Sequence, residues 1–305
     1  MKIFIAGATG VVGRRAIKIL VAGGDQVTAM ARNPDKASLV KEIGAIPTSV
    51  DLFDPDSVRH SLVGQEVVIN LATKIPTLFR SAVPGAWREN DRIRTIVSRN
   101  LVGAALESGA ERYVQESFAP AYPDMGVNWI DETVPLSPAP YCRSILDAEG
   151  QAERFARAGG IGIVLRFGLF YGPDGSHAET ILRLGRRGFS SVIGSPESFI
   201  SLITTDDAAT AVAAAVHAPA GIYNVSDDEP ITREEFVTAF AQAFDLPRIR
   251  TLPAWMARIG GSKARMLMRS QRVSNERLKG TTGWNPAYKN ANEGWNRIAS
   301  QLAGR

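Results

Sequence analysis

The chain has 305 residues, is 45% hydrophobic and 22% charged, and carries 35 Lys and Arg against 31 Asp and Glu. These values fit about two folded domains or one large α/β unit and exclude a disordered or fibrous chain; the net charge of +4 is too small to imply a nucleic-acid partner. A single cysteine, Cys142, and three scattered histidines exclude a disulfide framework or a cysteine zinc cluster and weigh against any metal centre.

The first half alternates strand and helix signals. Strands are predicted at Lys2–Ala6, Gln26–Ala31, Ile46–Val50, Glu66–Leu71, Arg112–Glu116 and Gly162–Arg166. Helices are predicted at Val11–Val21, Pro34–Glu42, Pro55–Leu62, Trp87–Ser108 and from near Tyr141 to Gly159-Gly160. This alternation predicts βαβ units and a doubly wound, Rossmann-type parallel sheet covered on both faces. After Gly172-Pro173 the segments shorten, with helices expected at Thr205–His217 and Thr232–Phe244 and a strand at Ile222–Val225. The expected organisation is a dinucleotide-binding domain over 1–172, its sheet completed by parts of 200–226. A smaller, discontinuous α/β substrate lobe would occupy most of 173–305. No run of about 18 apolar residues predicts a membrane span, and the opening MKIFIAGATG is too short an apolar run for a signal peptide. A cytoplasmic protein with no membrane partner is expected.

Gly7-Ala8-Thr9-Gly10-Val11-Val12-Gly13 follows the first strand and opens the first helix, where a doubly wound fold binds a dinucleotide pyrophosphate. The first glycine permits the tight turn, the second lets phosphates approach the backbone, and the third packs helix on strand. The helix N-terminus then offers N–H donors to the anion. At the end of the second strand, an NAD site wants an acid for the ribose hydroxyls. This chain has Arg32 there, which suits a 2′-phosphate, so NADP is expected over NAD. Asp51 and Leu52, at the end of the third strand, would flank the adenine. Leu71, Ala72, Thr73 and Lys74, after the fourth strand, would line the cofactor, as would Phe167 and Leu169 near the sixth.

These segments, with DLFD, NLAT, ERYVQESFAPAY, LRFGLFYGP, TTDDAATAV, IYNVSDDEP and GWNP, resemble the short-chain dehydrogenase/reductase superfamily, in its extended branch of epimerases and dehydratases. The resemblance implies a catalytic tyrosine, a lysine four residues later, a serine or threonine, and an asparagine. Tyr141 matches the tyrosine, but the lysine position is Ile145, so the chain looks like an atypical member. Ser117 or, counting back from Tyr122, Phe118 holds the serine position. Arg94 falls at the counted asparagine position, with Asn90 and Asp91 nearby. Asp91 is a candidate catalytic substitute, against the alternative of a solvated helix residue. Lys74 is a candidate replacement cation.

Twelve of the basic residues but only two of the acidic ones fall from Arg248 to Arg305, so that stretch carries +10 and the rest −6. Arg258, Lys263, Arg265, Arg269 and Arg272 either hold an anionic substrate group or form a solvated helix face. The expected function is an NADP-dependent oxidoreductase acting on a small carbonyl or alcohol, with an anionic group left open. Tyr141 would donate the proton and Ser117 would orient the oxygen. A cofactor-retaining epimerase, isomerase or lyase, and an NADP-binding sensor, are the alternatives. A homodimer is an open option, and Cys142, beside Tyr141, would serve as a chemical probe of the site.

Overall fold

A computed structural model describes residues 1–76, 83, 85–174, 176–190, 192–247, 249 and 261–303. The strands β1 (Lys2–Ala6), β2 (Gln26–Met30), β3 (Ile46–Thr48), β4 (Val67–Asn70), β5 (Arg112–Phe118), β7 (Ile161–Phe167) and β11 (Gly221–Val225) form one parallel sheet. Their order is β11-β7-β5-β4-β1-β2-β3. The chain runs outward from β1 in one direction and from β4 in the other. A crevice therefore opens at the carboxyl ends of β1 and β4, the place where such sheets bind ligands.

Strand β1 shows why both faces are covered. Ile3 and Ile5 enter a core with Ala16, Ile17 and Leu20 of α1 (Gly13–Ala22) and Ala208 and Val212 of α8 (Thr205–Ala215). Phe4 and Ala6 enter the opposite core with Val97, Leu101 and Phe155. Side chains alternate along a strand, so a fully buried strand must be apolar at every position. A third apolar cluster joins Tyr171, Leu202, Phe236, Phe240 and Trp295. It brings together β10 (Leu202–Thr204), α9 (Arg233–Ala243) and α12 (Ala291–Ala303).

Local chemistry sets the helix starts. Asn33 caps α2 (Pro34–Glu42) by accepting from the Lys36 amide at 2.9 Å, with Pro34 in the first turn. Thr232 and Glu235 form a reciprocal capping box at α9. The predicted helix over Trp87–Ser108 differs in its middle. It consists of α4 (Arg88–Arg92), a π-helical turn at Ile93–Val97, and α5 (Ser98–Glu107). Thr95 Oγ1 donates to the Asp91 carbonyl at 2.9 Å and Ser98 Oγ donates to the Arg94 carbonyl. Such side-chain bonds compete with the regular helical ladder. The expected third strand stops at Thr48, so Asp51 and Leu52 lie in the turn before α3 (Pro55–Ser61). No helix among the described residues is long and apolar enough to cross a membrane.

Candidate active site

The glycine-rich turn has the shape its sequence implies. Gly7 has φ +78°, and a Cβ there would lie 2.4 Å from the Leu71 carbonyl group. A Cβ on Gly13 would lie 2.4 Å from the Gly7 oxygen and 2.9 Å from that of Ala8. Gly10 differs: it is exposed, and its Cβ would meet only the Gly7 oxygen, at 3.2 Å. Two glycines are thus required by the protein itself, while the third leaves open space at the mouth of the crevice. The amides of Thr9, Val11 and Val12 donate to no backbone carbonyl among the described residues. An open cradle at a helix start with unpaired donors fits a pyrophosphate.

Around this turn, Arg32 is exposed at the carboxyl end of β2. Leu71 and Ala72 are half-buried, and Thr73 and Lys74 are exposed. The Ala72 amide donates to Asn70 at 3.1 Å and the Lys74 amide to Asn90 at 2.9 Å, which fixes the segment after β4. Three expectations need correction. Leu52 packs in the core with Val58 and Leu62, so of that pair only Asp51 is exposed. Phe167 is likewise a core residue, whereas Leu169 is half-buried. Lys74 is not the cation beside Tyr141, because its ammonium pairs with Glu89 at 2.7 Å on the surface.

Tyr141 sits in a 3₁₀ turn, Pro140–Cys142, just before α6 (Ile145–Arg157). It is half-buried, with the Trp87 ring 4.8 Å away and the Met266 sulfur 3.8 Å from its hydroxyl. Phe118 joins the same apolar cluster. Burial pushes the phenol well above the ordinary tyrosine range; Cys142 adds to this, and the charges of Arg269 and Arg94 oppose it. Ile145, at the family's lysine position, is fully buried. Arg143 is exposed, away from the turn's apolar side.

Ser117 and Tyr141 are not brought together. Ser117 is fully buried and its hydroxyl donates to Glu149 on α6. Glu149 in turn accepts two bonds from Arg166, at 2.9 and 2.7 Å. Arg166 donates to the Tyr122 hydroxyl at 2.7 Å, and Tyr122 donates to Asn224 at 2.9 Å. Adjacent strand residues leave on opposite sides, so the residue of β5 that reaches the tyrosine's cluster is Phe118. The serine position is therefore apolar in this chain. The sequence reading missed the Glu149–Arg166 network; an acid and a base that both lack a surface role, on a helix and the strand beneath it, were its available signal.

Asp91 is placed near the site but through a neighbour: it accepts from the Ser144 hydroxyl at 2.7 Å. Two of the basic C-terminal arginines are also engaged. Arg269 donates to the Tyr122 and Ser137 carbonyls, at 2.8 Å each. Arg272 lies over the Trp129 and Phe199 rings at 4.3 and 4.7 Å. Arg265 is exposed; Arg258 and the side chain of Lys263 lie outside the described residues. Cys142 is buried, so it is not the accessible probe expected beside Tyr141.

Comparison with known proteins decides the family. The NAD(P)H-binding family matches residues 7–187, more than half of the chain. The chain belongs to the NAD(P)H-binding family. It is an NAD(P)-dependent oxidoreductase or epimerase. A Streptomyces protein named 3-diazoavenalumate denitrifying reductase is 31% identical over 97% of this chain and 100% of its own length. An epimerase family protein of Mycobacterium bovis is 26% identical, covering 82% of this chain and 81% of that one. The structure of human epimerase family protein SDR39U1 with NADPH shares the fold, with a TM-score of 0.81 at 23% identity, covering 99% of this chain and 100% of that one. Family members thus include proteins named as reductases and as epimerases, and the residues around Tyr141 bear on which chemistry this chain performs.

Proposed function

We propose that the protein is an NADPH-dependent reductase of a small, largely apolar carbonyl compound, with Tyr141 as the proton donor. The observation that carries this reading is the setting of Tyr141: a half-buried phenol among Trp87, Phe118 and Met266, with Ile145 at the family's lysine position and burial outweighing the cations that bear on it. An epimerase must take a proton from an alcohol and later return it, which needs a ready phenolate. A carbonyl reductase needs the reverse, a neutral phenol that gives its proton to a forming alkoxide. Burial holds Tyr141 protonated, so the phenol still carries its proton when the alkoxide begins to form. When bound, the reduced cofactor supplies the hydride that adds to the carbonyl carbon. The chain's residues bind it through the glycine-rich turn and prefer the 2′-phosphate through Arg32.

A second reading has its own support. Phe118 and Ile145 stand where the family's polar catalytic groups would be. A similar protein is named as a denitrifying reductase of a diazo compound. Hydride transfer to an aryl diazonium gives the arene and dinitrogen, and leaves no alkoxide to protonate. Replacing Tyr141 by Phe separates the two: NADPH-dependent carbonyl reduction falls by about a hundredfold or more under the first reading, whereas diazonium reduction keeps its rate under the second. Equal turnover of carbonyls by wild type and Tyr141→Phe would overturn the proposal.

A further inference from the structure

The family's lysine is missing, yet a buried cation, Arg94, bears electrostatically on the tyrosine. Arg94 is 3% exposed and lies in the π-helical turn between α4 and α5. The helix that carries it is docked on the Tyr141 turn at two places. Trp87 at its start packs against Tyr141, the rings 4.8 Å apart and tilted by 54°, and Asp91 accepts from Ser144 at 2.7 Å. Asp91 and Arg94 are three residues apart and so adjoin on the helix surface.

Arg94 is poorly coordinated for a buried guanidinium. It makes one bond of 3.3 Å to Glu116 Oε1, and neither its Nε nor Glu116 Oε2 has a hydrogen-bond partner among the described residues. Buried charged groups are normally saturated, and one that is not requires an explanation. Glu116 lies two residues before Phe118 on β5, so the two side chains leave the strand on the same side, and Phe118 lies in the Tyr141 cluster. π-turns recur at functional sites, where they redirect side chains. The other cation bearing on the phenol, Arg269, is already tied to two carbonyls.

We propose that Arg94 takes the place of the absent lysine: its guanidinium steadies the negative charge that forms on Tyr141 as the phenol gives up its proton. Arg94 is then a positioning residue that acts through Tyr141. The groups that bear on the phenol are Cys142 from its own turn, Arg94 from the helix and Arg269 from the segment after α10 (Gly261–Leu267). Asp91 reaches it through Ser144, and Glu116 through Arg94.

This inference rests on Tyr141 as the proton donor, and its test needs no substrate. Difluorotyrosine is placed at position 141 of the full chain by stop-codon suppression, and its ionisation is followed by fluorine NMR. Arg94→Gln should weaken the acidity of that phenol about tenfold, Arg94→Lys should restore most of it, and Glu116→Gln should strengthen it by releasing Arg94 from its counter-charge. A titration unmoved by Arg94→Gln, or moved equally by Arg94→Lys, would overturn the proposal. Should Arg94→Gln not fold, Glu116→Gln decides, because it keeps the cation: an unchanged or weaker acidity overturns the inference. A protein that passes this titration but reduces no carbonyl would contradict the reductase reading and leave the Arg94 assignment standing.

Discussion

The Ser144 hydroxyl donates to Asp91 at 2.7 Å, tying the turn that carries Tyr141 to the helix that carries Arg94. On the proposed reading, Asp91 positions the turn as an acceptor. Asp91→Asn, which keeps an acceptor oxygen, should retain most activity. Asp91→Ala should lose about 1–3 kcal/mol of stability, because buried Ser144 is left without its partner, and should lower turnover as the turn loosens. Urea unfolding and NADPH consumption measure the two effects. Complete loss of activity in Asp91→Asn would instead assign it a proton-transfer role.

The glycine-rich turn separates folding from binding. Gly13→Ala puts a methyl 2.4 Å from the Gly7 carbonyl oxygen, and neither helix nor turn can yield, so a loss of about 2 kcal/mol or more is expected in thermal unfolding. Gly10→Ala meets only one atom, at 3.2 Å, so stability should hold while NADPH affinity falls. Fluorescence titration of the folded Gly10→Ala protein checks the second half. Unchanged affinity would mean that the pyrophosphate lies elsewhere.

On the proposed reading, Arg32 reads the cofactor's 2′-phosphate by charge. Arg32→Ala should weaken NADPH binding by about 10–100-fold, the scale of a charge-assisted hydrogen bond, and leave NADH nearly unchanged. Isothermal titration with both cofactors measures the ratio. Equal losses would remove Arg32 from the 2′-phosphate.

The Glu149–Arg166 pair is structural and expensive to break. Both side chains are nearly enclosed, 11% and 6% exposed, so Glu149→Gln should cost about 3–5 kcal/mol by leaving Arg166 buried and unpaired. Glu107→Gln, which removes one of the two carboxylate partners of the half-exposed Arg59, should leave stability within error. The same network gives a pH signature. Burial, against the pull of Arg166, pushes the Tyr122 phenol up from 10.0 to about 12. The proton is held more tightly in the folded state, so this contribution to stability is complete below pH 10 and is lost as pH rises through about 12. Urea denaturation at increasing alkaline pH should show that loss in wild type and a shallower one in Tyr122→Phe.

Much of the sheet was legible because its signals are local. Lys2–Ala6 and Pro34–Glu42 have the predicted bounds, the first from an unbroken apolar run and the second from Asn33 and Pro34 at its start. The strand at Arg112 runs on to Phe118 because it pairs with β7 along its whole length, a tertiary effect. Two-residue strands such as Trp129–Ile130 and Arg272–Val273 are too short to show a period. The same divide runs through the site. Gly7, Gly10 and Gly13 announce themselves by spacing, whereas Ser117 and Phe118 are distinguishable only once Glu149 claims the hydroxyl. Arg269 and Arg272 read as free surface charge, but carbonyls and aromatic rings from distant segments engage them.

The most direct measurement of the central claim is isotope transfer. Wild-type protein is incubated with NADPH deuterated at nicotinamide C4 and a panel of small aromatic ketones and aldehydes, and the products are examined by mass spectrometry. Deuterium on the carbinol carbon, with a rate lowered about a hundredfold or more in Tyr141→Phe, is the predicted result. No deuterated alcohol from any member of the panel, or equal labelling by Tyr141→Phe, would contradict an NADPH-dependent carbonyl reductase that uses Tyr141 as its proton donor.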